Sequence, residues 1–162
     1  MTPADSHAID PNTIVCALDA EVSTLIIVLD MLEIEHEALL GSCAERLEQA
    51  VVAKQKAIKD HVKARSEREE LGLKEALKEQ ITSHPTLVNG LRERAESLVE
   101  ELSNLAVKSK NLNSRNGQLI AVLKERTTAS LKVLRPEVAS VSLYGDSGSA
   151  ENTMGSRLLG SA

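Results

Sequence analysis

The sequence predicts an all-α fold: an elongated antiparallel helical hairpin or three-helix, coiled-coil-like bundle with a flexible C-terminal tail. Three observations carry that expectation. The 162-residue chain holds one tyrosine, no phenylalanine and no tryptophan, although 42% of its residues are hydrophobic. Cores of this size usually draw bulk from aromatic rings. A chain of Leu, Val, Ile and Ala with 27% charged residues suits long helices packed along narrow seams. Apolar residues also recur at alternating spacings of three and four through two long stretches, the pattern of helices packed side by side. Finally, Pro3, Pro11, Pro85 and Pro136 all fall outside the proposed helix interiors, where a proline would break the hydrogen-bond ladder.

In chain order, residues 1–9 are polar and Asp10-Pro11 starts the first helix. Asp is a good N-cap, and Pro is harmless at the first helical position because its missing N–H has no partner there anyway. Val15, Leu18, Val22, Leu25, Leu29, Leu32, His36 and Leu39 then form an a/d seam, widened by Ile14, Ile26 and Leu40. The helix spans about 11–40 and ends at Gly41. Ser42-x-x-Glu45 reads as a capping box opening a second helix over about 43–71. Its seam is sparse: Leu47, Val51, Ile58 and Val62, interrupted by Lys54 and Arg65.

Charge separates these two helices. Residues 1–45 hold nine acidic and no basic side chains, and residues 46–71 hold seven basic and five acidic ones. Complementary charge favours an antiparallel hairpin, although an exposed pair contributes only about 0–1 kcal/mol. Leu73 to Ile81 suits a short helical connector, and Thr82-Ser83-His84-Pro85 is a break.

The third long helix runs over about 86–134, completing a helical domain over 1–135. Its seam is Leu91, Ala95, Leu98, Leu102, Leu105, Ser109, Leu112, Asn116, Leu119 and Leu123. Past Leu119 a second apolar line opens at Ile120, Thr127, Leu131 and Leu134. With no matching helix left in the chain, that broadened stripe is a docking surface in expectation. Residues 136–162 are rich in Ser and Gly and read as a flexible tail, with the lone aromatic Tyr144 in it as a contact for another molecule.

A net charge of −5 argues against nucleic acid as the main partner. No run approaches the length of a membrane-spanning helix. No Lys or Arg precedes Arg46, so the basic start of a signal peptide is missing. A cytoplasmic protein follows as the expectation, with Cys16 and Cys43 as reduced, small packing residues. Glu33-x-x-His36 is half of a di-iron pattern without its second copy. No phosphate loop, nucleophile elbow or Cys-x-x-Cys pair stands elsewhere. The residues offer no active site, no metal site and no cofactor.

The most informative stretch is Lys110 to Leu134, where Asn116-Gly117 lies in mid-helix. Gly there costs about 1 kcal/mol against Ala. Either a neighbouring helix comes close at Gly117 or the position serves binding. Asn113-Ser114-Arg115-Asn116-Gly117, then Leu119-Ile120, the leucines to Leu131 and Leu134, Pro136, and Leu143-Tyr144-Gly145 with Gly148 beyond, resemble the FlgN family of bacterial flagellar export chaperones. The motif-bearing part is about a quarter of the chain, and the helical layout upstream fits loosely. The resemblance implies no catalysis and a partner set: hook–filament junction proteins, held by their C-terminal helical regions against premature assembly, and the cytoplasmic domain of the export gate. Export ATPase components are further partners in that setting. Asn113, Asn116 and Gly117 match the family's signature. Leu119, Ile120, Leu123, Leu131 and Leu134 match its substrate-binding end, and Leu143, Tyr144 and Gly145 match the segment implicated in gate docking.

Two other classes fit the residues alone. One is a coiled-coil regulatory adaptor of a secretion apparatus. The other is a self-associating structural coiled coil that buries the broadened stripe in a homodimer.

Overall fold

The computed structural model describes residues 10–74 and 76–134. They are all-α, with no strand among the described residues: α1 is Pro11–Leu40, α2 Ala44–Glu70, α3 Leu77–Ser83 and α4 Asn89–Leu134. The proposed tail over 136–162 lies outside the described residues. The chain divides into two compact units, Met1–Lys124 and Glu125–Ala162.

In the first unit, α1 and α2 form an antiparallel hairpin: Glu35 pairs with Lys54 and Glu21 with Arg68, so numbers fall on one helix as they rise on the other. The α4 helix runs parallel to α1 instead, because Asp19 meets Arg94 and His36 meets Asn116. Three long helices up, down and up enclose one core. Ile14, Leu18, Val22, Leu25, Val28 and Leu32 of α1 pack with Ala95, Leu98 and Leu102 of α4. Leu73, Ile81 and Leu87 from the α2–α4 connection join the same core. Each large apolar side chain so buried contributes about 1.5–3 kcal/mol.

Local chemistry explains the starts and stops. Asp10 caps α1, its Oδ1 accepting from the backbone N–H of Asn12 at 3.0 Å, with Pro11 following at the first turn. The capping box expected at Ser42-x-x-Glu45 is absent. Ser42 adopts a left-handed φ of 51°, Cys43 is the N-cap of α2, and no side chain caps it. The short link turns back at Ser42, and a residue in that conformation cannot also hold the extended backbone of an N-cap. At the far end, Gly72 (φ 82°) takes the left-handed turn after α2, a conformation glycine adopts without a Cβ clash. Arg92 holds the α3–α4 loop, its guanidinium donating to the carbonyls of His84 (3.1 Å) and Leu87 (3.0 Å).

The α2 seam differs from the expected one. Ile58 and Val62 are exposed, while Ala50, Ala57, Ala64 and Arg68 are buried. The inward line is Leu47, Lys54, His61 and Arg68 alternating with those alanines, both sets at seven-residue spacing. Alanines let the two helices approach, and the long polar side chains reach acidic or hydroxyl partners on α1. On α1 the buried line includes Ile14, Glu21, Val28, Glu35 and Ala38, whereas Ile26 and Leu40 are exposed. The α4 seam follows the expected register: Ala95, Leu98, Leu102, Ser109 and Asn116 are buried, and Leu91, Leu105, Leu112, Leu119 and Leu123 are half-buried. Cys16 is exposed rather than packed, and Cys43 is intermediate.

Candidate partner-binding end of α4

Asn116 is the best-defined residue of the signature stretch, and it points inward, only 1% exposed. Its amide nitrogen donates to the Leu32 carbonyl at 2.9 Å and to Glu35 Oε2 at 3.0 Å. Its amide oxygen accepts from His36 Nδ1 at 2.8 Å. The other oxygen of Glu35 accepts from Lys54 Nζ. One buried polar cluster therefore joins α1, α2 and α4, with the Asn116 amide bonded at both ends. A buried amide left without partners would cost about 1–3 kcal/mol, and here the cost is avoided.

Asn113 and Gly117 lie on the exposed side of the same turns. A Cβ built on Gly117 meets nothing within 4 Å. Of the two alternatives left open for Gly117, close approach of a neighbouring helix of this chain is not seen among the described residues. Leu119 and Leu123 continue the seam, half-buried, while Ile120 is 43% exposed beside them. Val122 is exposed too, a residue the sequence reading missed because it falls off both apolar lines.

In the second unit every described helical residue from 125 to 134 is exposed. Leu131, Val133 and Leu134 are 54%, 80% and 77% exposed. Leu131 and Leu134 lie one turn apart on one face of the helix, and Val133 points away from them. Leu143, Tyr144 and Gly145 lie outside the described residues.

Among the described residues no group of His, Cys, Asp and Glu could hold a metal ion. No helix among them is long and apolar enough to cross a membrane. The polar groups that sequence reading missed are structural: Glu21 and Arg68, and Glu35 with Lys54, pair across the α1–α2 seam. The signal for them was the seven-residue recurrence of Lys54, His61 and Arg68, which a search for apolar seams passes over.

A family model, that of the FlgN protein, matches residues 11–152. No curated protein and no solved structure matches the chain. The match runs from the first helical residue through the signature stretch and past Leu134, over most of the chain. The chain belongs to the FlgN family, whose role is that of flagellar export chaperones.

Proposed function

We propose that this chaperone binds the C-terminal helical regions of hook–filament junction proteins in the cytoplasm, prevents their premature assembly and delivers them to the export gate. The observation that supports this reading most is the exposed apolar pair Leu131 and Leu134, one turn apart on the same face of α4. An amphipathic helix lays its apolar face against such a surface, and no chemistry beyond burial is needed. Asn113, Gly117, Leu119, Ile120 and Leu123, in the first unit, also contact the substrate in this reading. Asn116 is spent inside the bundle, so its part is to position α4. Leu143, Tyr144 and Gly145 serve the gate.

Titration calorimetry of the full chain with the C-terminal segment of each junction protein tests the assignment. Saturable one-to-one binding to at least one segment is the expected result. No heat with any of them, combined with a concentration-dependent doubling of mass in light scattering, would favour a self-associating coiled coil instead.

A further inference from the structure

A second surface lies in the first unit, away from the signature stretch. Between α2, the connector before α3 and α4 there is an open cavity of about 700 Å³. Leu25, Leu102 and Ser109 line it from α1 and α4, and Leu77, Val99 and Ala106 add apolar surface. Arg65, Arg68, Lys74 and Lys78 also line it, against two carboxylates, Glu21 and Glu79. On a chain of net charge −5, that local excess of cations runs against the whole.

Several of these charges are already engaged. Arg68 is taken up by Glu21 and by the carbonyls of Leu73 and Lys74, and Arg65 by Glu69 at 2.7 Å. Lys74 and Lys78 make no ion pair among the described residues, and both are exposed. Glu79 lines the cavity beside them, Glu69 near Lys74 is bonded to Arg65, and Lys78 also borders Glu93, Glu96 and Glu100 on a neighbouring surface.

Two further features single the cavity out. Ser109 is 8% exposed, and its Oγ is buried without a hydrogen-bond partner. A buried hydroxyl left unpaired is unfavourable and asks for an acceptor or donor from outside. Ala76, on the cavity wall, holds a left-handed φ of 53°. A non-glycine residue in that conformation is strained, and such strain clusters where a ligand is clamped.

We infer that this cavity is a docking site for an acidic–apolar peptide segment, one that presents Asp or Glu beside Leu- or Ile-like side chains. Lys74 and Lys78 take the carboxylates at the rim, Leu77, Val99 and Ala106 take the apolar side chains, and Ser109 bonds a polar group of the peptide. The cavity is open along one side, which suits a segment laid into it better than a lipid chain that would need enclosure. The site lies outside the apolar end of α4, so it does not depend on which export substrate binds there.

The test uses the full chain and two blocked synthetic peptides that form amphipathic helices. One has Leu on one face and Glu on the other, and its partner has Lys in place of Glu. Amide shifts in two-dimensional NMR are expected to move for Lys74–Lys78 and Val99–Ser109 with the Leu/Glu peptide only. Lys74→Glu/Lys78→Glu, at two exposed positions, should weaken that binding about tenfold or more, since like charges are then opposed. Leu131→Asp should leave it unchanged while affecting junction-protein binding, which separates this site from the reading above. Equal binding of both peptides, shifts confined to residues 113–134, or a double variant that binds as wild type would each overturn the proposal. So would a medium-chain fatty acid that produces the same shifts when the Leu/Glu peptide produces none.

Discussion

The guanidinium of Arg68 on α2 grips the carboxylate of Glu21 on α1, its Nη2 donating to Oε1 at 3.2 Å and its Nε to Oε2, with both side chains 4% exposed. The same guanidinium donates to the Leu73 and Lys74 carbonyls. One side chain thus fastens the hairpin and the turn that follows it.

Because the pair is buried, removing one member leaves the other charged and unpaired. Arg68→Leu should lower stability by about 3–5 kcal/mol in urea unfolding. Glu21→Leu/Arg68→Leu should recover part of that loss. Recovery stays incomplete because the Leu73 and Lys74 carbonyls lose their donor. A loss below about 1 kcal/mol in the single variant would mean the pair contributes no more than a surface ion pair.

His61 adds a pH dependence. Burial holds its imidazole below the ordinary value of 6.5, a shift opposed in part by the charge of Glu21 and a backbone bond to the same residue. The Thr24 hydroxyl donates to a backbone carbonyl of its own helix, so it accepts from His61 Nδ1 at 3.2 Å. The folded chain therefore takes up the proton less readily than the unfolded one. Stability is fully present above pH 6.5 and falls as the pH drops through the lower, folded value. Unfolding midpoints measured across that range should decline for the wild type and decline less for His61→Gln, which keeps an N–H donor but does not titrate. Identical slopes would assign the acid sensitivity to other groups.

The fold class was legible because long apolar seams without aromatics leave few alternatives. The α4 register was legible residue by residue, since Leu98 and Leu102 mark a stripe that Ser109 and Asn116 simply continue. The α2 register was not. Ile58 and Val62 look like core and face water, while Ala57, Ala64 and Arg68 look neutral or polar and are buried. Helix periodicity reports apolar residues, but packing here selects small residues for close approach and long cations for reaching Glu21 and Glu35. The buried place of Asn116 followed from its seam position. The empty space beside Gly117 did not, because a missing side chain looks the same in sequence whether it admits a neighbour or opens a surface.

The apolar end of α4 carries the prediction about capture. Leu131→Asp/Leu134→Asp should abolish binding of a junction-protein segment in calorimetry. Each substitution at an exposed site should shift stability by no more than about 0.5 kcal/mol, and 54% and 77% exposure places both there. Retained binding together with a collapsed thermal midpoint would put these leucines in a core. Tyr144→Ala, in the proposed gate segment, should leave substrate affinity intact and lose binding to the export gate's cytoplasmic domain. The reverse pattern would exchange the two roles.

Asn116 and Gly117 are neighbours with opposite stability expectations. Asn116→Leu places an apolar side chain where Glu35 Oε2, the Leu32 carbonyl and His36 Nδ1 all lose a partner. Lost hydrogen bonds to a charged group are worth about 1.5–3 kcal/mol, more than one leucine's burial restores in a site shaped for an amide. The variant should be destabilised by about 2 kcal/mol. Gly117→Ala meets open space and should gain up to about 1 kcal/mol from helix propensity. If Gly117 is there for a partner helix to approach, the same substitution should weaken junction-protein binding while the chain becomes more stable. Urea melts of the two single variants, with a titration of each, decide the assignment. A stabilised Asn116→Leu would mean the buried cluster costs more than it contributes, and unchanged binding by Gly117→Ala would remove the glycine from the binding surface.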